Sequence, residues 1–123
     1  MAAAVLIVED DEDIRADLTA ILQVKGYSVD QAANGREALA RLRDAAMPCV
    51  VLLDLMMPVM NGWELRAAMK TDPRLAELPV IVMSGAGREE QRLDADAVLY
   101  KPFELARLLE LVGRFCPEPA ALP

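Results

Sequence analysis

Five consecutive acids, Glu9, Asp10, Asp11, Glu12 and Asp13, follow the first apolar run of the chain, residues 4–8, and another acid, Asp54, follows the run Val50–Leu53. The start of a helix favours acids by ~0.3 to 1 kcal/mol each, which accounts for Asp11, Glu12 and Asp13. It accounts less well for Glu9 and Asp10, which stand at the end of the apolar run itself. If the fold gathers Glu9, Asp10 and Asp54 at one edge, the three carboxylates repel and raise one another's pKa unless a cation lies among them. A hard divalent ion with oxygen ligands is the natural occupant. Mg²⁺ suits such a set, because it takes few carboxylates and keeps waters for a phosphoryl oxygen. Ser84 follows a further apolar run, residues 79–83, and Lys101 follows residues 97–100. Taken singly, the serine reads as a helix cap and the lysine as solvated surface. Beside the acids they complete an inventory for phosphoryl transfer to an aspartate: a carboxylate nucleophile, a metal that neutralises charge, and hydroxyl and ammonium donors for phosphoryl oxygens. The chain has no histidine, so any mechanism needing an imidazole of its own is excluded.

That convergence depends on the elements between these residues. The runs at 4–8, 50–53 and 79–83 are continuously apolar and of strand length, as expected for parallel strands covered on both faces. Residues 28–32 and 97–100 are weaker strand candidates. Between the strands, apolar residues recur at helical spacing: Ile14, Leu18, Ile21 and Leu22; Ala38, Leu39 and Leu42; Leu65, Ala68 and Met69; Leu105, Leu108, Leu109 and Val112. Asn34 and Asn61 stand where N-caps belong, Gly26 and Pro48 sit just past the first two helices, and Pro79 opens a strand. Strands alternating with four or five helices imply right-handed crossovers and a parallel sheet sandwiched by helices, with ligands at the carboxyl ends of the strands.

The chain has 123 residues, one ordinary domain, and its 54 % hydrophobic and 27 % charged content excludes disorder. Acids outnumber bases 20 to 13 and the formal charge is −7. With no basic run, direct nucleic-acid binding is not expected. Apolar runs such as Cys49–Leu53 are too short to cross a bilayer, and residues 1–8 lack the features of a secretory signal, so a cytoplasmic protein without membrane contact is expected. Two cysteines, Cys49 and Cys116, offer no disulfide framework and no metal-finger spacing. A reducing compartment follows as the default. The domain is expected over residues 1–116, with a flexible tail at 117–123.

Val8-Glu9-Asp10-Asp11, Leu53-Asp54-Leu55-Met56-Met57-Pro58 with Asn61-Gly62, Met83-Ser84-Gly85 and Tyr100-Lys101-Pro102-Phe103 resemble, in order and nearly in spacing, the motifs of the response-regulator receiver domain of two-component signalling, including the chemotaxis regulators. The resemblance covers residues 3 to about 115. It implies an α/β fold, a doubly wound five-stranded parallel sheet of flavodoxin-like order 2-1-3-4-5. It also implies that Asp54 is the phosphoacceptor, taking a phosphoryl group from a histidine kinase or histidine phosphotransferase of a two-component or phosphorelay system. Asp10 resembles the direct Mg²⁺ ligand, Glu9, where the family usually has Asp, the ligand acting largely through water, and the Met56 backbone carbonyl completes the set with Asp54. Ser84 and Lys101 correspond to the phosphoryl-binding residues, and a cis Lys101-Pro102 bond is implied. Chemistry is then limited to Mg²⁺-dependent self-phosphorylation and dephosphorylation, and the chain is not otherwise an enzyme. Met56 and Ala86 are apolar or small where the family often carries polar groups that orient water.

Two other readings compete. A pseudo-receiver binding module would keep the fold without phosphorylation, yet all five site positions carry competent residues. A metal-dependent phosphatase that forms an aspartyl phosphate typically has an acid two residues after its nucleophile, where this chain has Met56. No output domain follows the last helix, so the chain reads as a single-domain regulator that acts by docking, or as a receiver excised from a longer one. Sixteen residues separate Ser84 from Lys101, about a turn fewer than the family uses, and Gly85, Gly87 and six charged residues crowd that stretch. A shortened or irregular fourth helix is expected there. Val98 takes the place of the family's switching aromatic. Tyr100, on the same face by period-two alternation, either supplies the aromatic contact or covers core left open by the short helix. Phosphorylation is then expected to order residues 85–97 and alter a docking surface for a downstream protein near the last strand and last helix.

Overall fold

The computed structural model describes residues 4–44, 47–85 and 95–117. In chain order the elements are β1 (Val5–Val8), α1 (Glu12–Val24), β2 (Val29–Ala32), α2 (Gly35–Asp44), β3 (Val50–Asp54), α3 (Gly62–Lys70), β4 (Val80–Ser84), β5 (Ala97–Tyr100) and α4 (Leu105–Phe115). The strands form one parallel sheet in the order β2-β1-β3-β4-β5, as expected. The helix expected between Ser84 and Lys101 falls mainly on residues 86–94, outside the described residues, as does Ala86.

Period-two alternation divides the core between the two faces of the sheet. Val5, Ile7, Val50, Leu52, Ile81, Met83 and Leu99 pack against α1 and α4 through Leu18, Leu22, Leu108, Leu111 and Val112. Leu6, Val8, Val51, Leu53, Val80 and Val82 meet Ala38, Leu39 and Leu42 of α2 and Leu65 and Met69 of α3. Every residue of β1, β3 and β4 is therefore buried, which is why these strands read as unbroken apolar runs. The helix signals act as expected: Asn61 and Glu64 form a reciprocal capping box, Asn34 Oδ1 accepts from the Glu37 amide at 2.9 Å, and Gly26 takes φ 96° just past α1. No helix among the described residues is long and apolar enough to cross a membrane.

One expectation is overturned. Cys49 and Cys116 are joined in a disulfide with their Cα atoms 5.4 Å apart, across 67 residues of sequence. Cys49 immediately precedes β3 and Cys116 ends α4. Because α4 runs back toward the amino ends of the strands, the two meet there, a proximity that sequence distance conceals.

Candidate functional site

All five parallel strands end at one rim, and backbone pairing carries the order just beyond them. The Glu9 amide donates to the Ala32 carbonyl at 3.1 Å, and the Lys101 amide donates to the Ser84 carbonyl at 2.7 Å. Asp54, the last residue of β3, stands opposite Met83, and Ser84, the last of β4, opposite Tyr100. Glu9, Asp54 and Ser84 are the polar residues buried here, at 1 %, 6 % and 3 % exposure, while Asp10 is exposed. Carboxylate oxygens of Glu9, Asp10 and Asp54 all lie within 4.8 Å of one another. The Lys101 ammonium sits 3.4 Å from Glu9 Oε2 and 3.5 Å from Asp54 Oδ1. The Lys101-Pro102 bond is cis.

Three carboxylates thus face one ammonium. Burial, reinforced by the charge of Asp54, pushes the Glu9 carboxyl up to about 7, against the opposing pull of Lys101 and the Asp11 amide. Asp54 is also raised, chiefly by burial, while Lys101 and the Met56 amide, 3.4 Å from Oδ1, favour its charged form. The surplus negative charge suits a small hard cation held by these oxygens. Asp11 caps α1 through the Asp13 and Ile14 amides at 3.0 and 3.1 Å, which separates it from the three clustered acids.

The loop after β3 is held tightly. The Gly62 amide donates to the Leu55 carbonyl at 3.0 Å, and a Cβ at Gly62 would lie 2.8 Å from the Asp54 carbonyl oxygen and from Leu55 Cα. Only glycine lets α3 start this close to Asp54. Within the loop, the Met60 amide donates to the Pro58 carbonyl at 2.7 Å across Val59, which takes φ 69°. Arg15 escaped the sequence reading. Its Nη1 donates to the Glu9 carbonyl at 2.7 Å and its Nε to Gln31 Oε1 at 3.2 Å, pinning the turn that carries Glu9 and Asp10. The signal for it was a single base in the first turns of a helix opened by acids. Val98 is half-buried, whereas Tyr100 is 60 % exposed instead of lying over the core.

Residues 5–113 match the response regulator receiver domain family. The chain belongs to that family. Protein Rrf1 of Nitratidesulfovibrio vulgaris is 36 % identical over 93 % of this chain and 83 % of its own length. The phosphate regulon transcriptional regulatory protein PhoB of Rhizobium meliloti is 32 % identical over 96 % of this chain, which spans only 56 % of PhoB. Among solved structures, the Vibrio cholerae chemotaxis protein CheY4 superposes with a TM-score of 0.83 at 33 % identity, covering 94 % of this chain and 99 % of that one. The chain thus spans nearly all of the CheY4 chain and little more than half of PhoB.

Proposed function

We propose that this receiver domain takes a phosphoryl group onto Asp54 from a phosphohistidine of a partner histidine kinase or histidine phosphotransferase. The observation that carries this reading is the meeting of the Glu9, Asp10 and Asp54 carboxylates within 4.8 Å, with Lys101 bridging two of them. The three carboxylates fit Mg²⁺, which Glu9, Asp10 and Asp54 would hold together with the Met56 carbonyl. The bound ion supplies charge neutralisation for the clustered carboxylates and the incoming phosphoryl oxygens.

Asp54 is the nucleophile. A carboxylate oxygen forms a bond to phosphorus as the phosphorus–nitrogen bond of the donor breaks, and the electron pair leaves with the imidazole. Lys101, already beside Asp54, pairs with one phosphoryl oxygen, and the Ser84 hydroxyl donates to another. The ionised carboxylate needs no general base, which agrees with a chain lacking histidine. Its own side chain is the acceptor, so no separate substrate is turned over, and water can only return the domain to its starting state. A downstream protein reads the change on the face carrying Val98, Tyr100 and the start of α4, where Tyr100 and Leu105 are exposed. The −7 charge disfavours direct contact with nucleic acid, and the cytoplasm is the compartment where such a kinase domain is met.

Intact-mass spectrometry tests the reading. Incubation with acetyl phosphate and Mg²⁺ is expected to add one phosphate, absent in Asp54→Ala and in excess chelator. An adduct that persists in Asp54→Ala, or forms equally with chelator, overturns the assignment.

A further inference from the structure

We propose that Cys49 and Cys116 form a reversible thiol–disulfide site that fastens the last turn of α4 to the amino end of the sheet. Their Cα separation of 5.4 Å lies within the span a disulfide bridges. The surroundings suit the reduced pair as well. Both Sγ atoms lie against the Ala4 carbonyl oxygen, at 2.9 Å from Cys49 and 3.6 Å from Cys116, so a released thiol finds an acceptor beside it. Burying the opened pair therefore leaves a thiol proton with a place to go.

The two sulfurs differ in access. Cys49 is half-buried and Cys116 is 1 % exposed, which assigns Cys49 as the residue an external reagent reaches and Cys116 as the one that resolves. Closure uses a small-molecule disulfide such as oxidised glutathione. The Cys49 thiolate attacks it, forming a mixed disulfide and releasing one thiolate; the Cys116 thiolate then attacks the Cys49 sulfur and expels the second. Two thiol protons are released, and two electrons reduce the reagent's disulfide to two thiols. A dithiol reductant reverses the sequence. The tie acts on the residue whose amide closes the final turn of α4, donating to the Val112 carbonyl at 2.9 Å, so the state of the pair sets how firmly that turn is held.

The test equilibrates the purified chain in glutathione buffers of graded ratio, followed by acid quench, alkylation, mass analysis and hydrogen exchange. We expect monomeric closure between Cys49 and Cys116 that dithiothreitol reverses, with amides of residues 108–116 exchanging about tenfold faster in the reduced form while those of α1 hold constant. Cys116→Ser is expected to stop at a glutathione adduct on Cys49. Alkylation of both cysteines at every ratio, intermolecular pairing, or closure that dithiothreitol does not reverse would overturn the site. Equal exchange at residues 108–116 in both forms would overturn the fastening of α4.

Discussion

Glu9 is nearly inaccessible yet carries a carboxyl pushed from its ordinary 4.5 to about 7, so the folded chain without a divalent cation keeps a proton there that the unfolded chain has released. A folded-state pKa above the unfolded one contributes stability that is fully present below about pH 4.5 and lost as pH rises through about 7. In chelator, urea denaturation from pH 4.5 to 8 is expected to show this as a loss on the order of 1 to 3 kcal/mol, smaller in Glu9→Gln, where only the raised Asp54 still contributes. Parallel profiles for the two proteins would contradict it. Val59 presents a different strain, a β-branched residue at φ 69° in a three-residue turn with its side chain 70 % exposed. Val59→Gly should gain about 0.5 to 1 kcal/mol and Val59→Ala, which keeps its Cβ, much less; a melting temperature unchanged by Val59→Gly counts against strain there. At this scale the sequence is informative where position alone decides. Glu9, Asp54, Ser84 and Lys101 each follow an apolar run directly, and parallel strands bring such residues to one rim. Arg15 was invisible because its main partner is a backbone carbonyl, which no pattern of side chains marks.

The elements owe their placement to close approaches as much as to periodicity. Gly62 lets α3 begin against the backbone of Asp54 and Leu55, so Gly62→Ala is expected to cost about 1 to 3 kcal/mol through forced displacement. Gly113, inside α4 with nothing within 4 Å of an added Cβ, is the matched control. Gly113→Ala should stabilise by about 0.5 to 1 kcal/mol, since only the helix preference changes. Denaturant titrations in which both substitutions shift the midpoint alike would remove the packing argument for Gly62. Strand bounds were legible to within about a residue, because burial on both faces leaves no room for polar interruption. What holds the last turn of α2 was not: Arg74, more than thirty positions further on, donates to the Leu42 carbonyl at 2.8 Å. The segment holding Leu75 and Leu78, both buried without belonging to a helix or strand, shows no periodicity that could have announced it.

Across the whole molecule, the carboxylate cluster lies at the carboxyl ends of the strands and the disulfide at their amino ends. The first was readable because alternation of strand and helix dictates a parallel sheet; the second required knowing which way the last helix returns. That return has one more consequence. The Ala4 carbonyl accepts from the Cys49 amide at 2.8 Å and lies 3.6 Å from the Cys116 sulfur, so the head and tail of the folded domain are neighbours, on the side remote from Asp54. A circular permutant with residues 117 and 4 joined by a short glycine-rich linker, and opened at the exposed turn of Lys25 and Gly26, should unfold cooperatively and retain Mg²⁺-dependent phosphorylation of Asp54. Loss of cooperative melting in that permutant would show that the ends are not interchangeable with an ordinary loop. A domain whose two ends leave side by side can be spliced into a surface loop of another protein without prising that loop apart, with its carboxylate rim facing away from the host.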